Sequence, residues 1–199
     1  MSVIRAFIAI ELSSEILHRL DQVAKELKSK LINLPVRWVP ADNIHLTLKF
    51  LGDVSIANLE MLTKILGGVV SVHHSFEISA GGLGAYPKIH QPRVIWIGLE
   101  VPPELLAIQH NLELETARLG YTREERPFSP HLTLGRVSRN ATPAETQAIS
   151  KVLETTKVGF LGATRVKTVF LFRSDLNPGG AVYTRIFSAP LADSVRQID

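Results

Sequence analysis

The tetrapeptide His-Leu-Thr-Leu occurs at residues 45–48 and again at 131–134. With 7 His, 12 Thr and 26 Leu in 199 residues, chance supplies on the order of 0.01 copies per chain. On a strand, side chains alternate, so His45 and Thr47 share one face, roughly 6.6 Å apart, while Leu46 and Leu48 point into a core. The second copy places His131 and Thr133 over Leu132 and Leu134 in the same way. An imidazole titrates near neutrality and serves as acid or base, and a hydroxyl donates to an anionic oxygen. Two such pairs facing each other suit a phosphate diester or cyclic phosphate, with one imidazole as base and the other as acid. One copy alone reads more simply as polar residues on the solvent face of an amphipathic strand; two copies in matching surroundings do not.

Two cations follow the motifs. Arg136 lies five residues after His131, nominally on the wrong face, but a bulge at Gly135 would swing its guanidinium back toward a phosphate. Lys49 is in phase with His45 and Thr47, which fits either a phosphate contact or an exposed strand lysine. Phe7, Trp38 and Tyr183 are candidates to stack on a base, and each also reads as a core residue.

The elements that must position these groups follow from hydrophobic period. Helices are predicted over "SSEILHRLDQVAKELKSKL", after Ser55, from Pro102-Pro103 to Gly120, and from Thr142-Pro143-Ala144-Glu145, a capping box with proline at the first position. Strands are predicted at "VIRAFIAIEL", "NIHLTLKFLG", "FEISAGGLGA", "RVIWIGLE", "PHLTLGRV", "VKTVFLFRS" and "YTRIFSAPL". The order is β-α-β-α-β followed by β-α-β-α-β-β, with each motif on the second strand of its half. This is an α+β duplication, expected as one bilobal domain over 1–199, with halves of roughly 1–90 and 91–199 related by a pseudo-twofold axis and a shared cleft.

Bulk properties narrow the class. The chain is 45% apolar and has no cysteine, which excludes disulfides and thiolate sites and fits a reducing interior such as the cytoplasm. The start, "MSVIRAFIAIEL", reads as a first strand rather than a leader. No run approaches the roughly 18 apolar residues of a membrane span. The net charge is +3. Lys157, Arg165, Lys167, Arg173 and Arg185 stand against Asp175 alone between 157 and 185, a local excess that fits either a polyanion contact or a solvated strand edge.

Taken together, "RAFIAIEL", "RWVPADNIHLTLKFLGDV", "FSPHLTLGR" and "LFRSDLNPGGAVYTRI" resemble the two-histidine phosphoesterase superfamily, whose signature is two H-x-T-x motifs in a duplicated fold. More narrowly they resemble its RNA 2′,3′-cyclic phosphodiesterases, the ThpR or LigT group once called 2′-5′ RNA ligases. The resemblance implies two antiparallel sheets flanking a central cleft with helices outside. It also implies hydrolysis of a terminal RNA 2′,3′-cyclic phosphate to a 2′-phosphomonoester, without metal or other cofactor. His45 would then be the proton donor and His131 the proton acceptor, with Thr47, Thr133 and Arg136 on the phosphate. Reversible 2′-5′ ligation of tRNA halves, a monomeric state and RNA ending in a cyclic phosphate as partner are expected on the same ground.

Other readings are weaker. A metal hydrolase would need ligands beyond His73-His74, and no H-E-x-x-H or carboxylate lies in phase with either motif. A serine hydrolase lacks G-x-S-x-G, and "SAGGLGAYP" lacks the lysine and helix of a phosphate loop. His18, His90 and His110 read as surface residues. A non-catalytic RNA-binding protein would tolerate loss of a motif histidine or threonine, and a related phosphodiesterase would act on another cyclic or 2′-5′ diester.

Overall fold

In the computed structural model, which describes residues 3–178 and 180–193, β1 (Val3–Ile10) is followed by α1 (Ser14–Lys30), β2 (Val36–Trp38), β3 (Leu46–Ser55), α2 (Leu59–Val70) and β4 (Phe76–Lys88). The second half comprises β5 (Gln91–Glu100), α3 (Pro103–Arg118), β6 (His131–Val137), α4 (Pro143–Thr155), β7 (Phe160–Val166), β8 (Thr168–Asn177) and β9 (Gly180–Pro190). Residues 1, 2, 179 and 194–199 of the expected halves lie outside the described residues.

The helices begin where capping chemistry places them. Ser13 accepts from the Ile16 amide at the start of α1. At α4, Thr142 Oγ1 accepts from the Glu145 amide while the Glu145 carboxylate accepts from the Thr142 amide, completing the expected capping box. Two short strands escape the periodic reading: β2 has only three residues, and β7 carries Gly162 at φ +136°. The first motif therefore lies on the third strand of its half rather than the second.

All strand pairs are antiparallel, in two sheets of order β3-β1-β8-β9 and β2-β6-β5-β4-β7. Each sheet pairs the first strand of one half with a late strand of the other: β1 takes β8, and β5 takes β4. The halves thus complete one another's sheets. Helices α2 and α3 pack on the first sheet and α1 and α4 on the second. Between helices and sheets runs the main core, including Ile8, Ile10, Leu46 and Leu48 from one sheet and Ile95, Ile97, Leu132 and Leu134 from the other. All four motif leucines are buried, as alternation requires. Among the described residues no helix is long and apolar enough to cross a membrane.

The glycine-rich stretch is part of β4, and its glycines serve packing. A Cβ on Gly84 would lie 2.2 Å from the Trp96 ring, so only glycine lets that indole lie flat on the neighbouring strand.

Candidate active site

Each motif threonine marks a register shift. In the first sheet Ala9 pairs with Thr47 and Ile8 with Lys49, leaving Leu48 as an extra residue. In the second, Trp96 pairs with Thr133 and Ile95 with Gly135, leaving Leu134 extra. Both motifs therefore contain the same β-bulge, which reverses side-chain phase immediately after it. His45, just before β3, and His131, the first residue of β6, sit on the non-core faces with their threonines, all four partly exposed.

The reversal settles both cations. At Gly135 it brings exposed Arg136 back to the His131–Thr133 face, as the glycine suggested. At Lys49 it does the opposite and corrects the expectation of a substrate contact. Lys49 is 3% exposed, with Nζ 2.6 Å from Glu113 Oε2 and a second bond to the Thr122 carbonyl. Phe50 takes the outward position instead, 69% exposed. Glu113 Oε2 also accepts from the Glu124 amide at 3.1 Å, so this buried pair ties β3 to α3 and to the segment leading toward His131. Removing one partner of such a pair strands a buried charge, whereas replacing both by apolar groups does not.

The main chain orients both imidazoles. His131 Nδ1 lies 2.7 Å from the Ser129 carbonyl; donating there leaves Nε2 free for proton exchange. The Asn43 carbonyl, again two residues upstream, accepts from the His45 ring. The Asn43 side chain in turn donates to Ala181 O on β9 at 2.9 Å. The backbone just before each motif thus acts as an imidazole holder.

Surroundings differ between the copies. His45 stacks on Phe7 with centroids 4.7 Å apart and planes at 22°, and Tyr183 meets it edge-on at 5.2 Å. Phe7, Ala9 and Phe172, with Phe170 and Tyr183 against them, form a second apolar cluster separate from the main core. Burial there pushes the His45 pKa down to about 4, against the opposing effect of the Asn43 carbonyl. His131 meets Tyr86 edge-on at 5.0 Å and Trp96 at 6.4 Å. The Tyr86 hydroxyl lies 2.6 Å from Ser129 Oγ, on the same residue whose carbonyl holds His131.

Of the aromatic candidates, Phe7 and Tyr183 lie at His45. Trp38 does not: it packs against the main core on β2 with Lys28 Nζ 5.9 Å from its ring centroid. Phe172, Phe50, Tyr86 and Trp96 were not among the expected site residues. Only strand register brings them in, although "NIHLTLKFLG", "RVIWIGLE" and "VKTVFLFRS" mark the strands of Phe50, Trp96 and Phe172. Two of the five cations of the basic stretch are ion-paired, Arg173 with Asp175 at 2.8 Å and Arg185 with Glu11 at 2.6 Å. His90 pairs with Glu154 and His74 contacts the Asp193 carbonyl. Among the described residues no three His, Asp or Glu side chains converge as a metal site requires.

Comparison with known proteins agrees with this geometry. The family model for LigT-like phosphoesterases matches twice, at residues 10–96 and 97–183. The chain is 33% identical to an RNA 2′,3′-cyclic phosphodiesterase of Methanothermobacter thermautotrophicus over 91% of its own length and 95% of the relative's. It is 30% identical to the Aquifex aeolicus protein of the same name, over 92% and 95%. Its fold is similar to that of E. coli LigT complexed with 3′-AMP, with TM-score 0.76, 28% identity, and coverage of 96% of this chain and 99% of that one. With both halves matched by one family model and each carrying an imidazole and a threonine on the same bulged strand, this chain belongs to the LigT-like phosphoesterases.

Proposed function

We propose that the chain hydrolyses a terminal RNA 2′,3′-cyclic phosphate to a 2′-phosphomonoester, with the two motifs facing one phosphate. The observation that carries this reading is the equivalence of the two imidazoles: each is oriented by a carbonyl two residues upstream and followed, one bulged strand later, by a threonine. A short tether supports their pairing. The Val39 amide donates to the Leu134 carbonyl at 2.9 Å, and only a 3₁₀ turn at Ala41–Asn43 separates Val39 from His45.

In this mechanism His131 Nε2 takes a proton from water as the water oxygen attacks phosphorus. The bond from phosphorus to the ribose 3′ oxygen breaks, and His45 protonates that oxygen. Thr47 and Thr133 donate to the non-bridging oxygens, and Arg136 balances their charge. Solvent exchange then returns the proton from His131 and restores the one on His45. With its pKa lowered in the free protein, His45 takes up its proton from solvent as substrate binds: a phosphate anion beside the ring offsets the desolvation of its buried setting. The assignment of donor and acceptor rests on the family resemblance. Attack by a ribose 5′ hydroxyl in place of water, with the same 3′ oxygen leaving, forms a 2′-5′ diester, which is ligation, and its reverse regenerates the cyclic phosphate; tRNA fragments ending in a cyclic phosphate are substrates of the required chemistry. A soluble cytoplasmic monomer fits this reading.

Product analysis on a short RNA ending in a 2′,3′-cyclic phosphate tests it. The expected product is the 2′-monoester, formed equally well with a chelator present. A 3′-monoester would overturn the choice of the 3′ oxygen as leaving group while sparing the two histidines; chelator-sensitive turnover would overturn the two-histidine mechanism.

A further inference from the structure

The two motif strands differ on their outer sides. The shared bulge makes Lys49 the counterpart of Gly135, and Phe50 that of Arg136. Outside β6 lies β2, and the Val39 amide that follows β2 donates to the carbonyl of the bulge residue Leu134. β3 is the edge of its sheet and has no such neighbour among the described residues. Side chains of α3 stand there instead. Gln109 Nε2 lies 3.5 Å from the carbonyl of the bulge residue Leu48 and 3.5 Å from Glu113 Oε1, and Glu113 holds Lys49. Residues 121–130, which run from α3 to His131, form no helix or strand and are largely exposed. Their ends are fixed by the Tyr121 amide on the Thr116 carbonyl and by the Leu99 amide on the Pro130 carbonyl. Between the ends, Lys49 donates to the Thr122 carbonyl and Glu113 accepts from the Glu124 amide.

We propose that Lys49 and Glu113 are positioning residues for the reaction, a side-chain substitute for the strand that flanks the other motif. The inference rests on the function proposed above. With Gln109, the pair holds the approach to His131 against the strand that carries Thr47. A buried ion pair adds little stability over an apolar pair of the same volume, so its use lies in fixing one arrangement. Here each member makes a second bond that an apolar pair would lack, Lys49 to Thr122 and Glu113 to Glu124. Ser129, whose carbonyl orients His131, lies five residues beyond Glu124 on the same irregular segment. Slack in that segment reaches the imidazole, and a reacting group misplaced by about 1 Å loses about a hundredfold in rate. Thr133 and Arg136 lie within β6, whose pairing with β5 does not pass through this anchor.

Kinetics and amide hydrogen exchange test this together. The double variant Lys49→Met with Glu113→Leu removes both anchors and leaves no buried charge. Its kcat on a 2′,3′-cyclic nucleotide should fall by about ten- to a hundredfold, with KM and the affinity for adenosine 2′-monophosphate unchanged. Exchange should quicken across residues 122–130 while β3 and β6 stay protected. Lys49→Met with Glu113→Gln keeps an acceptor for the Glu124 amide and should lose less; if the first double variant does not fold, this one decides. In wild type the Glu124 amide should exchange more slowly than those of Arg123 and Glu125. Wild-type kcat in a folded double variant, a loss confined to KM, or a Glu124 amide as fast as its neighbours overturns the proposal. Failure of wild type to open a cyclic phosphate, with exchange at residues 122–130 slow and quickened in the double variant, would overturn the proposed reaction and leave the anchor standing.

Discussion

His45 lies face to face with Phe7 in an aromatic cluster, whereas His131 meets Tyr86 edge-on beside a hydroxyl pair formed by Tyr86 and Ser129. Both imidazoles have the same main-chain holder and the same bulged strand. What distinguishes them is the side chains that neighbouring strands bring to each, and burial is the larger influence on His45. A desolvated imidazole resists charge, and the face of one phenyl ring returns only about 0.5–1 kcal/mol to a cation. The comparison shows that the two motifs share a backbone geometry while the packing around His45 lowers the proton affinity of its ring.

The broadest way to break the comparison is to remove either imidazole. His45→Ala and His131→Ala should each lower turnover of a cyclic phosphate by about 10²- to 10⁴-fold, with unchanged far-ultraviolet circular dichroism. Full activity in either variant would show that only one motif takes part.

Next comes the contrast between Lys49 and Gly135, the residues that follow each bulge. Lys49→Met should cost about 3–5 kcal/mol by stranding Glu113. The double replacement Lys49→Met with Glu113→Leu should recover most of that in urea denaturation. Recovery by the double variant but not by Lys49→Met alone separates a lost pair from lost packing.

Proton affinity offers a further test at His45. His45 in the folded chain titrates at about 4, below the value near 6.5 of an exposed histidine. Between those values the unfolded chain holds the additional proton. Stability from this group is therefore present above pH 6.5 and is lost as pH falls toward 4, by about 3 kcal/mol at most. His45→Gln should flatten the melting temperature across that window. A pH dependence unchanged in His45→Gln would show that burial of this ring does not hold its proton off.

The smallest effect concerns the holder of His131. Tyr86→Phe deletes the bond to Ser129 Oγ and leaves the ring. It should cost about 0.5–1.5 kcal/mol in stability and only a few-fold in turnover. A loss as large as that of His131→Ala would assign the Tyr86 hydroxyl a direct part in the chemistry.

Much of this arrangement can be read from the residues in order. Repetition picks out His45, Thr47, His131 and Thr133, and periodicity with capping chemistry locates the four helices. Gly135 announces the second bulge, so Arg136 could be placed on the right face. The first bulge has no such marker: Leu48 and Lys49 look like an uninterrupted alternation, and the lysine was assigned outward when it points inward. Whether a strand keeps phase depends on its partner's register, here that of Ile8 and Ala9 forty residues earlier. The same dependence hides Phe172, Tyr86 and Trp96, whose positions beside the imidazoles arise from pairing between distant strands. β2 is too short for a period to show, although it starts the tether that joins the motifs.

The exchange of strands between sheets bears on how such a molecule can arise and change. A single half contains no complete sheet, since β1 lacks β8 without the second half and β5 lacks β4 without the first. Two separate copies of one half would satisfy the same pairings only as an intertwined homodimer, whose two imidazoles would be bound by symmetry to identical neighbours. Joining the copies into one chain lifts that constraint. A ring at one position and a guanidinium at its twin then become compatible in a single molecule.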